Sequence, residues 1–280
     1  MSFSVLNNVS SLAAQNELSA TQASLQKSLF QLSSGSRINS GADDAAGLAI
    51  ADGLHANLTA LTQSARNASD GVGSLQVADG ALAQVTALLN RAVTLATEAS
   101  TGTVSDTQRT TIDAEFTAIK AEIDRIGSST NYNSGQVFTA TATAVYLSDG
   151  TTGGATSITV TTGALSSSSI GFSGTPVDIS GDDLTTAANA QTALGDISTA
   201  IANVAADRGA LGAEINRLQS ASTVITTQVQ NLTNAEDGIR AADIPTAVSN
   251  VSRLTILEQT GISALQQSNQ LQGAVLKLLQ

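Results

Sequence analysis

The chain has 280 residues, 41% apolar but only 2% aromatic, with no Trp and no Cys, so its seams must be built from Ala, Leu, Val and Ile and it forms no disulfide. A formal net charge of −11 disfavours nucleic acid, whose phosphates need clustered Lys and Arg. No run of eighteen apolar residues occurs, so no membrane insertion is expected, and MSFSVLNNVSSLAAQNELSA lacks the basic n-region of a cleavable secretory signal, which leaves the cytoplasm or an export route without one.

In chain order, the first predicted element is an N-terminal helix. Leu18, Leu25 and Leu32 lie seven apart, with Leu29 filling the seam, and the helix ends at Gly35. The stretch LSSGSRINSGADDAAGLAIAD, Leu32 to Asp52, comes next. As a phosphate loop it lacks GxxxxGK[ST] or GxGxxG spacing, and as a calcium loop it lacks alternating acids, because Asp43 and Asp44 are adjacent. It reads best as a hinge in which Asp43 or Asp44 caps the following helix.

Two long heptad frames follow. The first runs Leu58, Leu61, Ala65, Ala68, Val72, Leu75, Asp79, Leu82, Thr86, Leu89, Val93, Ala96; ten of its twelve positions are apolar. The second runs Leu194, Ile197, Ile201, Val204, Arg208, Leu211, Ile215, Leu218, Ser222, Ile225, Val229, Leu232, with the same score. The average composition predicts about five, and each frame corresponds to a helix of about 58 Å. Between them, Ile112, Phe116, Ile119, Ile123 and Ile126 mark a third helix.

Gly127 to Gly181 is rich in Gly, Ser and Thr, with short strands at AVYL (Ala144 to Leu147) and SITVT (Ser157 to Thr161) and turns at NSG and SDG. This small β-rich insert, with flexible glycine ends and no heptad frame, is expected to be dispensable. The last helix starts near Asp243, an acidic cap, with Pro245 in the first turn. Within it Ile262, Leu265, Leu276 and Leu279 share one frame, which Asn269 and Gln272 interrupt.

The fold class is mainly α: a long antiparallel coiled-coil-like helical bundle with paired terminal helical arms and a small β-rich central insert. The expected parts are 1–44 (arm helix and hinge), 45–130 and 183–240 (the two halves of the helical core), 131–182 (hairpin and surface insert) and 241–280 (C-terminal arm helix).

Enzymatic readings fare poorly. His55 is the only histidine, so a His-based metal cluster is impossible, and a Ser-His-Asp triad would rest on it alone. Glu115 and Glu122, beside Asp113 and Asp124, read as a solvated helix face, and no cofactor motif appears. No catalytic residue, metal or cofactor is expected.

The arms point instead to assembly. Ordering a residue costs about 1–2 kcal/mol, so an arm of about forty residues faces tens of kcal/mol. A sparse seam will not offset that alone, and such arms should fray until neighbouring copies cover them. With only 12% charged residues, the surface can approach copies of itself without strong repulsion.

LSSGSRINSGADDAAGLAIAD closely resembles the N-terminal signature of bacterial flagellins, LSSG-x-RIN-(two or three small residues)-DDAAGLAIA. AVSNVSRLTILEQTGISALQQSNQLQGAVLKLLQ, from Ala247 to Gln280, resembles the flagellin C-terminal arm, and NYNSGQVF, from Asn131 to Phe138, resembles the hairpin after the third helix. The resemblance covers about residues 1–140 and 183–280 and is to a short-insert type of flagellin.

That resemblance implies arms paired as a coiled coil in the filament's inner tube, a next shell of long helices, a solvent-facing insert, and a spoke carrying Gly35, Arg37, Asn39, Asp43 and Asp44. It implies a structural filament subunit for swimming motility, self-assembled as a homopolymer and open to sibling flagellins. Such a subunit leaves the cell unfolded and uncleaved through the flagellar type III export apparatus. An export chaperone and the filament cap and hook-junction proteins are its partners. The alternative in the same machinery is a hook–filament junction protein. Flagellins seen by the vertebrate Toll-like receptor resemble QRVRELAVQ paired with a Glu on the next helix. Here the stretch is NRAVTLATE: Arg91, Leu95 and Glu115 match, Val93 and Thr94 depart, and weak receptor recognition is expected.

Overall fold

A computed structural model describes residues 8–150 and 157–278, with the side chains of residues 272–278 outside the described set. The elements run α1 (Val9–Ser34), α2 (Ala45–Ser100), α3 (Asp106–Ser129), β1 (Asn131–Tyr132), β2 (Gly135–Gln136), β3 (Thr143–Tyr146), β4 (Ser157–Val160), α4 (Ala187–Arg240) and α5 (Ile244–Leu278). The fold is mainly α, as the sequence leads one to expect. Two compact units emerge, one from the described residues of Met1–Ala56 and Asn231–Gln280, the other from Asn57–Gln230.

Helix ends follow local chemistry. Asn8 caps α1 by accepting from Ser11 N, and Gly35 closes it in the left-handed conformation at φ +66°. Asp44 Oδ1 accepts from Gly47 N at 2.9 Å and so caps α2, while Asp243 does the same for Thr246 N in α5. Ser105 and Gln108 form a capping box on α3. The buried Arg109 reaches back to the carbonyls of Ala99 and Thr101, closing the last turn of α2. At 56 and 54 residues, α2 and α4 outrun the heptad frames, which span only part of each. The β1–β2 turn places Asn133 and Ser134 at φ 48° and 65°, the geometry that suits a two-residue hairpin.

The Asn57–Gln230 unit has one core, to which α2, α3, α4 and the insert all contribute. From the first frame Leu75, Leu82, Leu89 and Ala96 are buried, and from the second Ile197, Val204, Leu211 and Leu218. A further heptad row on α2, namely Ala78, Val85, Ala92 and Ala99, is also fully buried. A single heptad frame describes one neighbour, and a helix that packs against several buries more than one row. By length and mean hydropathy alone α2 qualifies as a membrane span, against the sequence expectation, but its buried rows enter this core.

The charged interruptions of the two frames meet. Arg208 on α4 forks onto Asp79 on α2, with Nε–Oδ1 2.7 Å and Nη2–Oδ2 3.3 Å. Both side chains are 39% exposed, so the pair contributes at most about 1 kcal/mol.

The insert departs from the loose loop its composition suggests. Val145, Val160, Leu165, Ile170, Ile179 and Leu184 are buried in the shared core. Carboxylates on the helices hold its backbone: Asp124 accepts from Ser167 N, Asp113 from Leu184 N, and Asp207, 1% exposed, from Phe172 N and Ser173 N. Lys120 donates to the carbonyls of Ser180 and Asp182. Asp113 and Asp124, read from sequence as solvated, are therefore anchors. Gly127 is no flexible end either: it lies inside α3, where a Cβ would overlap the Leu165 carbonyl oxygen.

Two outcomes are expected. Gly127→Ala should cost about 1–3 kcal/mol by overpacking, while Gly181→Ala, with open space around it, should leave the thermal midpoint unchanged. Deleting Thr139 to Ile179 should abolish cooperative melting of the Asn57–Gln230 unit, because it strips five buried apolar side chains from the core; calorimetry checks both.

Candidate assembly interface: the paired terminal helices and their junction

Helices α1 and α5 pair antiparallel. Asn8 Nδ2 donates to Ser268 O at 3.5 Å at one end, Gln22 Nε2 to Glu258 Oε1 at 3.1 Å in the middle, and Ala242 N to Gly35 O at 3.0 Å at the other. The half-buried row of α1 is Ser11, Ala14, Leu18, Thr21, Leu25, Ser28 and Leu32, alternating three and four residues apart. Facing it on α5 are Ala247, Val251, Leu254, Glu258, Gly261, Leu265 and Ser268. A Cβ at Gly261 would meet Leu18 Cδ1 at 3.3 Å, so Leu18 packs against a helix kept narrow by glycine.

Among the predicted arm residues, Leu18, Leu25, Leu32 and Leu265 lie in this seam. Leu29 and Ile262 do not: they are 46% and 42% exposed. At two positions the C-terminal frame is one residue off: Gly261 and Ser268 face α1 where Ile262 and Asn269 were expected, although Asn269 Oδ1 still accepts from Ser11 Oγ at 3.1 Å. Leu279 and the side chain of Leu276 lie outside the described residues.

Large apolar side chains of the pair point outward. Ten of the fourteen exposed large hydrophobics among the described residues sit on α1 or α5: Val9, Leu12, Leu29, Phe30, Ile244, Val248, Ile256, Leu257, Ile262 and Leu271. No described residue of α1 is fully buried. Within the chain the seam is closed by leucines and one valine interspersed with small and polar residues, and the remaining large apolar side chains face away from it.

The stretch between α1 and α2 is braced on the break between α4 and α5. Ser36 forms an isolated antiparallel bridge with Ala241, and Arg37 N donates to Arg240 O at 2.6 Å. Arg37 Nη2 donates to Ile239 O and Ser36 Oγ to Arg240 O, so the orphan carbonyls at the end of α4 are capped from another part of the chain. Ile38 is 1% exposed, and a Cβ at Gly47 would approach its Cδ1 to 2.8 Å. Asn39 Nδ2 donates to Ser36 O. Asp43 accepts from Asn39 N, Ser40 N and Ser40 Oγ through Oδ2, and from Lys27 Nζ at 2.7 Å through Oδ1. The structure thus gives Gly35, Arg37, Asn39, Asp43 and Asp44 separate jobs in the stretch that the sequence reads as a hinge. Ile38, Lys27 and Ser36 are the contributors that the sequence reading passed over; a lone apolar residue inside a polar motif was the available signal for Ile38.

Nearby, His55 pairs with Glu236 at 3.3 Å, and Glu236 also meets Arg240 at 3.5 Å. In the other unit Arg91 forks onto Glu115 at 2.7 and 3.0 Å, a bond that holds the Glu115 carboxyl below its usual range. Leu95 is 2% exposed, so it presents no surface.

Residues 5–143 match the bacterial flagellin N-terminal helical region, and residues 194–279 the bacterial flagellin C-terminal helical region. The chain is 32% identical to a flagellin of Halalkalibacterium halodurans over 98% of both chains. It is 31% identical to a flagellin of Listeria monocytogenes, covering 95% of this chain and 96% of that one. The solved structure of a putative flagellar hook-associated protein from Vibrio parahaemolyticus shares the fold, with a TM-score of 0.58 and 13% identity over 71% of this chain and 100% of that one.

Asp43 makes the junction acid-sensitive in a defined window. Its hydrogen bond with Lys27, followed by that from Asn39 N, lowers its pKa from 3.8 to about 2. The folded state therefore releases this proton more readily than the unfolded chain does, and the contribution is complete above about 3.8 and lost as pH falls through about 2. Melting curves between pH 5 and about 2 should show this acid step in the native chain and lose it in Asp43→Asn.

Proposed function

This chain belongs to the bacterial flagellins, it is a structural subunit of the extracellular flagellar filament and not an enzyme, and we propose that the outward apolar face of α1 and α5 makes its contacts with neighbouring subunits. The observation that carries this reading is the division of side chains across the pair. Seam positions are filled by Leu alternating with Ala, Ser, Thr and Gly, while Phe30, Ile256, Leu257 and Leu271 are 48–63% exposed. Covering the exposed part of ten such side chains is worth on the order of 10 kcal/mol per subunit, comparable to the whole stability of an ordinary domain. Exposed singly, hydrophobics need no explanation; ten concentrated on two helices do.

On this reading the terminal arms are residues 1–44 and 241–280, the two halves of the helical core are 45–130 and 183–240, and the junction around Arg37 is the spoke between arms and core. Export through the flagellar apparatus without a cleaved signal, and handling by an export chaperone and the filament cap, follow from family membership and are part of the same proposal. A hook–filament junction protein is the weaker alternative, since the likeness to the hook-associated structure is one of fold alone. Receptor recognition should be weak: Arg91 is already engaged by Glu115, Leu95 is buried, and Val93 and Thr94 occupy the remaining patch.

Phe30→Asp with Ile256→Asp separates assembly from folding. Both side chains are more than 60% exposed in the single chain, so the monomer should melt normally. Each carboxylate would be desolvated between subunits at a cost of several kcal/mol, and every subunit carries the defect. Electron microscopy should show no filaments; filaments of normal length would remove this face from the mechanism.

A further inference from the structure

We propose that a groove in the Asn57–Gln230 unit, between α2 and the two hairpins, binds a neutral saccharide. The groove holds about 440 Å³, within the range of small-molecule sites. Its position is unusual for this composition: the chain has two tyrosines, and both Tyr132 and Tyr146 border it. Tyr132 reaches α2 where the helix lacks a side chain; a Cβ at Gly73 would meet the Tyr132 hydroxyl at 3.0 Å. Gly71 lets Val145 approach α2 to the same degree, so a glycine admits each hairpin.

The floor is apolar, with Leu75, Val137, Val145 and Val160 all buried. The rim is polar. The Asp70 carboxylate and the hydroxyls of Ser74, Tyr132 and Thr143 make no hydrogen bond within the described residues. No Lys or Arg borders the groove, which disfavours phosphates and acidic ligands. A purely apolar ligand would desolvate Asp70 without a partner, which is unfavourable. A pyranose satisfies both surfaces: its C–H face lies on apolar and aromatic groups, and its hydroxyls donate to the carboxylate and exchange bonds with Ser, Thr and Tyr. The proposal is independent of the α1–α5 reading, because every lining residue lies between Asn67 and Thr162.

Saturation-transfer NMR and calorimetric titration of the full chain test it. Maltose, lactose and chitobiose are the neutral probes, and 3′-sialyllactose is the anionic control. At least one neutral probe should bind in preference to the anionic one. Asp70→Ala should weaken that binding about tenfold, as expected for loss of a charged acceptor. Ser74→Leu, which fills the groove from the helix side, should abolish it, with the thermal midpoint unchanged in both variants. Binding of none of the neutral probes, equal binding by both variants, or preference for the anionic sugar would overturn the assignment. So would a filament reconstruction in which a side chain of the adjacent copy fills the groove.

Discussion

The antiparallel pairing of α1 with α5 sets the terms for the rest of the molecule, because it joins Asn8 to Ser268, 260 residues apart, in a single register. A two-helix seam offers each helix one narrow stripe to bury, and here that stripe is filled by Leu alternating with small and polar residues. Burial inside the chain is correspondingly thin. The wide apolar sides of both helices remain uncovered within the chain, and on the proposed reading other copies cover them. On that reading the arms carry more apolar residues than their own pairing uses because assembly draws on the remainder.

Pairing also needs the two ends brought to the right place, and the junction does this with backbone as much as side chains. The Ser36–Ala241 bridge ties the exit of α1 to the entry of α5, and Arg37 satisfies carbonyls that α4 leaves open at its end. Asp43 then fixes the turn and reaches back to Lys27 on α1. A glycine-rich stretch of this kind invites reading as a flexible connector. Gly47 shows the opposite use: its missing side chain lets Ile38 bury beneath the first turn of α2. Glycine here permits close contact rather than motion.

The long helices were legible because their periodicity extends over many turns and is reinforced by composition. Even the interruptions carried information, since Asp79 and Arg208, each a defect in its own frame, form a pair once the helices are set side by side. The C-terminal frame misled by one position for a physical reason. Hydropathy ranks Ile262 above Gly261, but within the chain the narrow glycine faces Leu18 and the isoleucine faces outward. A helix that serves two kinds of neighbour has two patterns superimposed, and on the proposed reading the stronger one belongs to a neighbouring copy. The insert was illegible for another reason: its core residues, Leu165, Ile170, Ile179 and Leu184, are spread through Gly, Ser and Thr, and its anchors are carboxylates on distant helices. No local pattern connects Asp207 with the amides of Phe172 and Ser173.

Charge completes the argument. Among the described side chains, which leave out Lys277, every lysine and arginine except Arg66 already holds a carboxylate, amide or carbonyl acceptor within its own chain, from Lys27 on Asp43 to Arg253 on Asn250. Few cations are left over for bridging subunits, while the chain as a whole carries −11. Neighbouring copies thus meet with a net repulsion that falls off within a Debye length in salt. The proposed attraction is short-range apolar burial, and most of the exposed large apolar side chains among the described residues are gathered on the outer faces of α1 and α5. On that reading the low share of charged residues that leaves the arms free to pack together also leaves their assembly dependent on hydrophobic contact.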